Sequence, residues 1–213
     1  DRTRPATVED FLRSIEPVGR PPVAQTFHPV GEPDMVFTVV NNHLKSKGSD
    51  CTDIGDPFDV HQANCNLTRV AQAEALMGFV ADLQEATGDP DVLIIGDLNS
   101  YAKEDPIDRI KLGPDGSPGG GDNFFDLINK PGKNTAYGYV FDGQLGTLDN
   151  ALASISLLSQ VKGVTVWHIN ADEPDILDYD TSFKKAAQDA LYEPLPYRVS
   201  DHDPIIVGLQ LEE

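Results

Sequence analysis

Short apolar runs alternate with polar segments along the chain and predict a mixed α/β protein. Residues 67–86 carry apolar side chains at three- to four-residue spacing, which predicts the longest helix. Shorter helices are expected at residues 104–112 and 184–191, and residues 114–121 predict a flexible loop. Runs of strand length lie at residues 23–27, 35–40, 91–96, 137–141, 148–154, 164–169 and 205–211. This mixture of helical and strand patterns favours helices packed on a β-sheet.

The same pattern predicts how the chain is organised. Residues 1–22 are polar and contain four prolines, which predicts a lead-in segment and not a folded unit. Residues 23–213 contain no linker, so we expect them to belong to a single domain. No apolar run is long enough to span a membrane.

The charge balance narrows the possible functions. The 213 residues include 16 Lys and Arg against 35 Asp and Glu, which gives a formal net charge of −19. Proteins that read a DNA sequence usually have a basic surface, so stable sequence-specific DNA binding is not expected. An enzyme that meets phosphate through a divalent cation and a few local basic side chains is compatible with this balance.

The two cysteines, Cys51 and Cys65, lie in a polar loop rich in aspartate. A disulfide between them would close a short loop and is typical of an exported protein. Two free thiols in a cytosolic protein are the alternative. We predict the disulfide and a secreted protein.

Charged side chains lie at three of the predicted strand ends. His202 stands between Asp201 and Asp203 at the start of the last strand, His43 follows the second, and Asp97 follows the strand at residues 91–96. Histidine titrates near neutral pH, and neighbouring carboxylates can orient it or bind a divalent cation. We therefore predict that these strand ends form one site.

Two further residues, Asn99 and Asp149, add to this picture. Asp97 and Asn99 are expected to point to one face, where they would offer an anionic and a neutral oxygen to a cation or a phosphate. A simple turn is an equally good interpretation of that pair. Asp149 lies inside an apolar strand, where a carboxylate is costly unless it is paired, and a histidine is the expected partner.

Other clusters are more ambiguous. His43 is followed by Lys45 and Lys47, and these cations favour a role in binding phosphate, although a single histidine is more often structural. The acidic residues 172–180 predict either solvated surface or a calcium-binding loop. Trp167 is expected to pack in the core.

Four short motifs follow one another along the chain: NHLKSKG at 42–48, GDLNSY at 96–101, GTLDNAL at 146–152 and SDHDP at 200–204. In this order and spacing they resemble the endonuclease/exonuclease/phosphatase superfamily, the deoxyribonuclease-like metal-dependent phosphodiesterases. The first motif and the cysteine-flanked loop resemble its bacterial extracellular nuclease branch. The resemblance covers roughly residues 20–211.

The resemblance implies a four-layered α/β/β/α sandwich, to which this chain would contribute mainly the C-terminal half. It also implies in-line attack of water on a phosphodiester of DNA, with RNA as a further candidate substrate. Mg²⁺ or Mn²⁺ would be the cofactor, with Ca²⁺ as a third candidate. Phosphoryl transfer needs cations that neutralise charge and a titratable group that manages the proton of the water.

Roles carried over from the motifs begin with His202 as general base or acid and Asp149 as the residue that orients it. Asp97 and Asn99 would hold phosphate, metal or the attacking water, and Asp201 would bind the metal.

Four other residues are expected to meet the substrate. His43 would contact the scissile phosphate, Asn42 and Lys45 would bind substrate, and Arg20 would contact the nucleic-acid backbone.

Two departures from the family pattern stand out. Family members of this branch often have His at the position of Asn150, so the proton network is expected to differ here. The family's first half brings a metal-binding Asn and a metal-binding Glu, and no matching segment precedes Arg20, because Glu9 and Glu16 lie in polar sequence. A separate N-terminal half is therefore an expected partner, beside the nucleic acid itself.

Two alternatives use the same features. A phosphomonoesterase or a phospholipase of this fold would apply the same residues to another substrate. An inactive calcium- or partner-binding domain would use the acidic surface, but it has no physical need for the polar cluster of His43, Asp97, Asn99, Asp149 and His202.

Overall fold

A computed structural model describes residues 20–129 and 136–211. Most of the predicted lead-in therefore lies outside the described residues. The main sheet contains strands β1 (Val23–Phe27), β2 (Phe37–His43), β3 (Val92–Asp97), β4 (Phe124–Asp126) and β7 (Asp149–Ser154). Their spatial order is β1-β2-β3-β7-β4. β2 and β3 are parallel, and the other neighbouring pairs are antiparallel.

In the described part of the chain, two two-stranded sheets accompany the main sheet. β5 (Tyr139–Phe141) pairs with β6 (Gln144–Gly146), and β8 (Val161–Val166) pairs with β9 (Ile205–Leu209), both antiparallel.

The described helices are one long and two short segments: α1 (Asn66–Thr87), α2 (Asp105–Lys111) and α3 (Ala186–Asp189). Pro106 lies in the first turn of α2, as predicted, where its missing N–H costs no hydrogen bond. Single 3-10 turns occur at Thr52–Ile54, Ser156–Gln160 and Asp175–Leu177. None of the helices in the described part of the chain is long and apolar enough to cross a bilayer.

The two faces of the main sheet bury different partners. On one face, Val40, Ile94 and Leu152 pack against α1 through its Leu76 and Val80. These sheet residues are neighbours in the strand register, so they form one continuous apolar surface.

The opposite face carries the alternate strand positions, including Leu93, Ala151 and Ala153. Val164 and Val207 of the β8–β9 sheet pack on this face. The described chain thus stacks helix, sheet and second sheet, which confirms the predicted α/β class. The full four-layered arrangement stays a prediction.

A remote carboxylate caps the start of α1. Asp56 is buried, and its carboxylate accepts hydrogen bonds from the backbone N–H groups of Leu67 and Thr68, at 3.3 and 2.7 Å, and from the Thr68 hydroxyl. The first turn of a helix has N–H groups without helical partners, and a negative charge there is favourable. The loop that carries Asp56 therefore fixes where α1 begins.

The predicted disulfide between Cys51 and Cys65 is present, with the two Cα atoms 5.3 Å apart. It closes the loop that holds Asp56, and Cys65 is the residue directly before α1. Arg69, fully buried in α1, donates hydrogen bonds to the carbonyl oxygens of Gln62 and Asn64 inside this loop. The loop is thus tied to the helix covalently and by a buried cation.

The structure also differs from several sequence predictions. β2 extends to His43, and β8 ends at Val166. The exposed fraction of Trp167 is 56%, so the prediction that it packs in the core is wrong. Beyond Trp167, the Asp203 carboxylate accepts the backbone N–H groups of Ile169, Asn170 and Ala171. The three-residue strands β4 and β6 were not predicted, since runs this short carry no periodicity.

We expect the disulfide to stabilise the fold measurably. Replacing both Cys51 and Cys65 by Ser should lower the free energy of unfolding by about 3 kcal/mol, because a closed loop of this length restricts the unfolded chain by that order. Urea denaturation of the oxidised protein and of the double variant gives the difference. A reductant should destabilise the wild type and leave the variant unchanged. Equal midpoints for the two proteins would contradict the prediction.

Candidate active site

Strand pairing places three of the predicted site residues in one row. His43 is the register partner of Asp97 across β2 and β3, and Asp97 is the register partner of Asp149 across β3 and β7. His43 Nε2 lies 3.5 Å from Asp97 Oδ2. The row lies at one end of the main sheet. Facing positions on adjacent strands project to the same side, so all three side chains lie on the face that packs against the β8–β9 sheet.

A glycine makes this end of the sheet possible. Gly96 has φ of 115°, a conformation that residues with a side chain rarely adopt, and a Cβ atom there would overlap the carbonyl oxygen of Asn42. The close approach of the two strands brings Asp97 beside His43.

Asp97 and Asn99 form the turn that was one of the two interpretations of that pair. Asp97 Oδ1 accepts the backbone N–H of Asn99 at 2.8 Å, and Asp97 Oδ2 accepts from the Asn99 amide at 3.0 Å. The same amide donates to the carbonyl oxygen of Leu44 at 3.1 Å. Asn99 itself has φ of 46°, which asparagine tolerates better than most residues. Asp97 is therefore held in one orientation by its own turn.

His202 reaches the row from the second sheet. Its Nδ1 atom is hydrogen-bonded to Asp149 Oδ2, so the predicted pairing of Asp149 with a histidine is present. Its Nε2 atom lies 3.9 Å from Asp201 Oδ1. Only 22% of the His202 side chain is exposed.

Asp203 anchors the backbone on the other side of His202. Its Oδ1 atom accepts the N–H groups of Ile169, Asn170 and Ala171 at 3.1, 2.8 and 2.9 Å, and its Oδ2 atom lies 2.9 Å from His168 Nδ1. The Asn170 amide in turn donates to the carbonyl oxygen of His202 at 2.8 Å. His202 is thus fixed through both its ring and its main chain.

Tyr139 is a site residue that sequence reasoning missed. It forms an isolated antiparallel bridge with His202, and the two ring centroids are 4.6 Å apart. Burial raises the pKa of its hydroxyl, and the charges of Asp201 and Asp97 raise it further. A tyrosine in a short strand is ordinarily interpreted as packing, so no sequence signal identified it.

The pKa values of the two histidines are shifted in opposite directions. Burial lowers the pKa of His202, but its hydrogen bond with Asp149 and the negative charges of Asp149, Asp97 and Asp201 outweigh burial and raise it. The pKa of His43 is lowered, first by burial and then by the positive charges of Arg20 and His202, although the carboxylates oppose this.

Burial also raises the pKa of Asp97, and the neighbouring charge of Asp149 adds to the effect. Neighbouring groups with pKa values driven apart are typical of sites that use acid and base together.

The expected substrate-binding residues fall into two groups. The Arg20 guanidinium contacts the His43 imidazole, so Arg20 lies at the row. The backbone of Lys45 is held by α1, with Lys45 N donating to Gln72 Oε1 at 2.9 Å, and its side chain is partly exposed. Asn42 is buried, donates its amide to the carbonyl oxygen of Val40, and lies on the helix-facing side of β2, away from the row.

Lys47 does not face a phosphate site. Its ammonium forms an ion pair with Glu104, at 2.6 Å from Oε2, donates to the carbonyl oxygen of Gln62, and lies 5.2 Å from the centre of the Tyr101 ring. The sequence suggested two cations beside His43 because neighbouring lysines cannot be assigned to surface or interior by spacing alone.

Two aspartates of the acidic segment 172–180 form ion pairs within the protein. Asp175 and Asp178 form ion pairs with the buried Arg198, at 2.6 and 3.2 Å. Asp178 is therefore an internal ion-pair partner, whereas the Asp175 side chain is 80% exposed and stays at the surface.

Comparisons with known proteins bear on the fold. A scan against protein-family models finds no match, and a search of curated proteins finds none. Among solved structures, an endonuclease/exonuclease/phosphatase from Bacteroides vulgatus is 15% identical, with 92% of this chain and 57% of that chain covered and a TM-score of 0.51. A functionally unknown conserved protein from Enterococcus faecalis is also 15% identical, with 92% and 59% covered and a TM-score of 0.51.

The chain has the endonuclease/exonuclease/phosphatase fold. It spans somewhat more than half the length of the two matched structures, at 57% and 59%. The resemblance first drawn from four motifs is thus confirmed at the level of the fold, while the roles of individual residues stay predictions.

The anchoring role of Asp203 predicts a pH dependence of stability. Burial raises its pKa, but the three backbone N–H groups and His168 outweigh burial and lower it. Its stabilising contribution is therefore complete above the unfolded pKa of about 3.9 and is lost as the pH falls through the lower folded value. Asp203→Asn should lower the melting temperature at pH about 7 and lose less stability than the wild type on acidification to pH about 3.

Thermal melts at the two pH values, with the exposed Asp53→Asn as a charge-matched control, measure this difference. Parallel pH curves for the wild type and Asp203→Asn would argue against the anchor.

Proposed function

We propose that this chain carries the hydrolytic residues of a secreted, metal-dependent phosphodiesterase that cleaves DNA. The observation that carries the proposal is the row of His43, Asp97 and Asp149, joined to His202 by the hydrogen bond at Asp149. Two imidazoles and two carboxylates have no structural need to meet at a partly exposed sheet end. Proton transfer and phosphate binding provide such a need.

His202 is the proton-transfer group in this proposal. The bond from Asp149 to Nδ1 fixes the ring tautomer and leaves Nε2 as the atom that exchanges a proton with water or with the leaving oxygen. The raised pKa of His202 favours the protonated ring, and a protonated ring can give its proton to the leaving oxygen. To act as a base, the ring would first have to lose this proton, which a nearby positive charge would favour.

His43 and Arg20 are the phosphate-binding groups. The guanidinium can donate two parallel hydrogen bonds to phosphate oxygens, and it already contacts the His43 ring. Asp97, oriented by Asn99, would position the attacking water. The predicted roles of Lys45 and Asn42 in substrate binding stay untested. The burial of Asn42 counts against its role.

A divalent cation would neutralise the charge that develops on the phosphate. Asp201, Asp97 and Asn99 offer the carboxylate and amide oxygens that Mg²⁺, Mn²⁺ and Ca²⁺ prefer, and 55% of the Asp201 side chain is exposed. Within residues 20–129 and 136–211, however, no three His, Cys, Asp or Glu side chains are arranged around one ion position. The donors fit a cation in kind and fall short in number, so further ligands would come from another segment.

The second sheet offers a place for that segment. β9 pairs with β8 along one edge, and its other edge has no strand partner among the described residues. Ile206 on β9 is 48% exposed. A two-stranded sheet is only marginally stable, and an open edge can pair with a further strand. We propose that an N-terminal half, in the same polypeptide or as a separate chain, adds strands at this edge and completes the metal site.

Plasmid nicking tests the activity. With Mg²⁺ or Mn²⁺, the protein together with its N-terminal half should convert supercoiled plasmid to open circle, and a chelator should stop the reaction. His202→Ala should lower the rate by at least about 10²-fold, because general acid–base catalysis contributes about that much. His28→Ala is the matched control, because it removes an exposed histidine that follows β1, where Phe27 pairs with Phe37 at the end of β2 opposite His43.

The outcome separates the candidate functions. Cleavage that persists with chelator, or in His202→Ala, would sink the nuclease proposal. Release of inorganic phosphate from a monoester, or of a lipid head group, without nicking would favour the phosphomonoesterase or the phospholipase. No hydrolysis of any of these substrates would leave the inactive binding domain.

Hydrogen exchange tests the open edge. In the isolated chain, backbone amides of β9 that do not bond to β8 should exchange at least about 10-fold faster than amides of the central strand β3, because unpaired amides lack protection. Exchange measured by NMR or mass spectrometry gives the ratio. Equal protection of β9 and β3 would show that the edge needs no further strand.

A further inference from the structure

The loop between α2 and β4 holds three side chains that each use one polar atom to shape the loop and keep one oxygen that bonds to none of the residues the structure describes. Asp115 Oδ1 accepts the N–H of Ser117 at 2.7 Å, and Asp122 Oδ2 accepts the N–H of Asp115 at 2.9 Å. The Asn123 amide nitrogen donates to the carbonyl oxygens of Lys111 and Ser117, at 2.9 and 3.0 Å. The remaining oxygens are Asp115 Oδ2, Asp122 Oδ1 and Asn123 Oδ1.

These three oxygens converge on the space beside Gly120. The position that a Cβ atom would take at Gly120 lies 2.5 Å from Asp122 Oδ1, 3.6 Å from Asn123 Oδ1 and 3.6 Å from Asp115 Oδ2. Only a residue without a side chain leaves this space open. The Cβ position itself lies too close to the Gly120 backbone for an ion, so a calcium ion, near 2.3–2.6 Å from each oxygen, would lie farther out, between the three side chains.

Asn123 gives an independent indication of a ligand. The residue is 92% buried, since its exposed fraction is 8%, and its Oδ1 atom has no hydrogen-bond partner among the described residues. Its amide nitrogen donates to two carbonyl oxygens, so the side chain cannot be flipped without losing both bonds. A buried acceptor without a partner is costly, and a cation would satisfy it.

Charge points to a cation in place of a water molecule. None of the ion pairs among the described residues includes Asp115 or Asp122. Two carboxylates and one amide oxygen match the ligands that calcium takes from proteins, with main-chain carbonyls and waters as the usual complement. Magnesium demands stricter octahedral geometry, which a glycine-rich loop does not impose.

We propose that Asp115, Asp122 and Asn123 bind a calcium ion that ties α2 to β4. The site is separate from the catalytic row: Asn123 accepts the N–H of Ile155 just beyond the end of β7, whereas Asp149 begins that strand. The ion would neutralise two charges in an acidic protein and stabilise the link between Asn123 and the carbonyl oxygen of Lys111 at the end of α2.

Thermal melting and calorimetry of the whole chain test the proposal with calcium chloride as the probe. At a calcium concentration about 100-fold above the dissociation constant, the melting temperature should rise by about 5 °C or more over the value in chelator. Titration calorimetry should give a dissociation constant in the range of about 10⁻⁵ to 10⁻³ M. Asp122→Asn should weaken this binding at least about 10-fold and remove most of the thermal shift.

Two control variants locate the ion. Asp53→Asn removes an equal charge from another exposed loop, and Asp201→Asn removes a carboxylate of the active site; both should keep the thermal shift. Retention of the full shift by Asp122→Asn, its loss in Asp201→Asn, or no shift in the wild type would each overturn the proposal. Calorimetry on folded Asp122→Asn, checked by circular dichroism, separates lost binding from lost folding.

Discussion

The pairing of β3 between β2 and β7 is the constraint on which the candidate site depends. Register alone sets His43, Asp97 and Asp149 side by side, and a slip of one residue on either strand would turn a side chain to the opposite face. Gly96 permits the close approach of β2 at this point, and the turn at Asn99 holds the Asp97 carboxylate. The chemistry of the site is therefore built first by backbone hydrogen bonds and only then by side chains.

His202 joins this row from a different layer. Its ring is held by Asp149 of the main sheet, and its main chain is held by Asn170 in a segment that Asp203 fixes. Any motion of the β8–β9 sheet relative to the main sheet would change the distance between His202 Nε2 and Asp97. The packing of Val164 and Val207 on the main sheet thus has a functional consequence, because apolar contact between the sheets sets the geometry of a polar site.

The sequence predicted the elements that have strong periodicity and the residues that follow strands. α1 and the approximate positions of β2, β3 and β9 were predictable because long periodic runs and polar residues after apolar runs carry a clear signal. Contacts between distant residues carried none: Asp56 caps a helix ten residues further on, Arg198 binds two aspartates of an acidic segment, and Tyr139 packs on His202. Lys47 shows the limit of local reasoning, since its neighbour Glu104 lies far along the chain.

The central claim is that His43, Asp97, Asp149 and His202 form one electrostatic unit. Titration of the histidine side chains by NMR tests it most directly, since each ring reports its own charge environment. We expect the pKa of His202 to lie above the ordinary histidine value of about 6.5 and that of His43 below it. Asp149→Asn should lower the pKa of His202. Ordinary values for both histidines, unchanged in Asp149→Asn, would contradict the account.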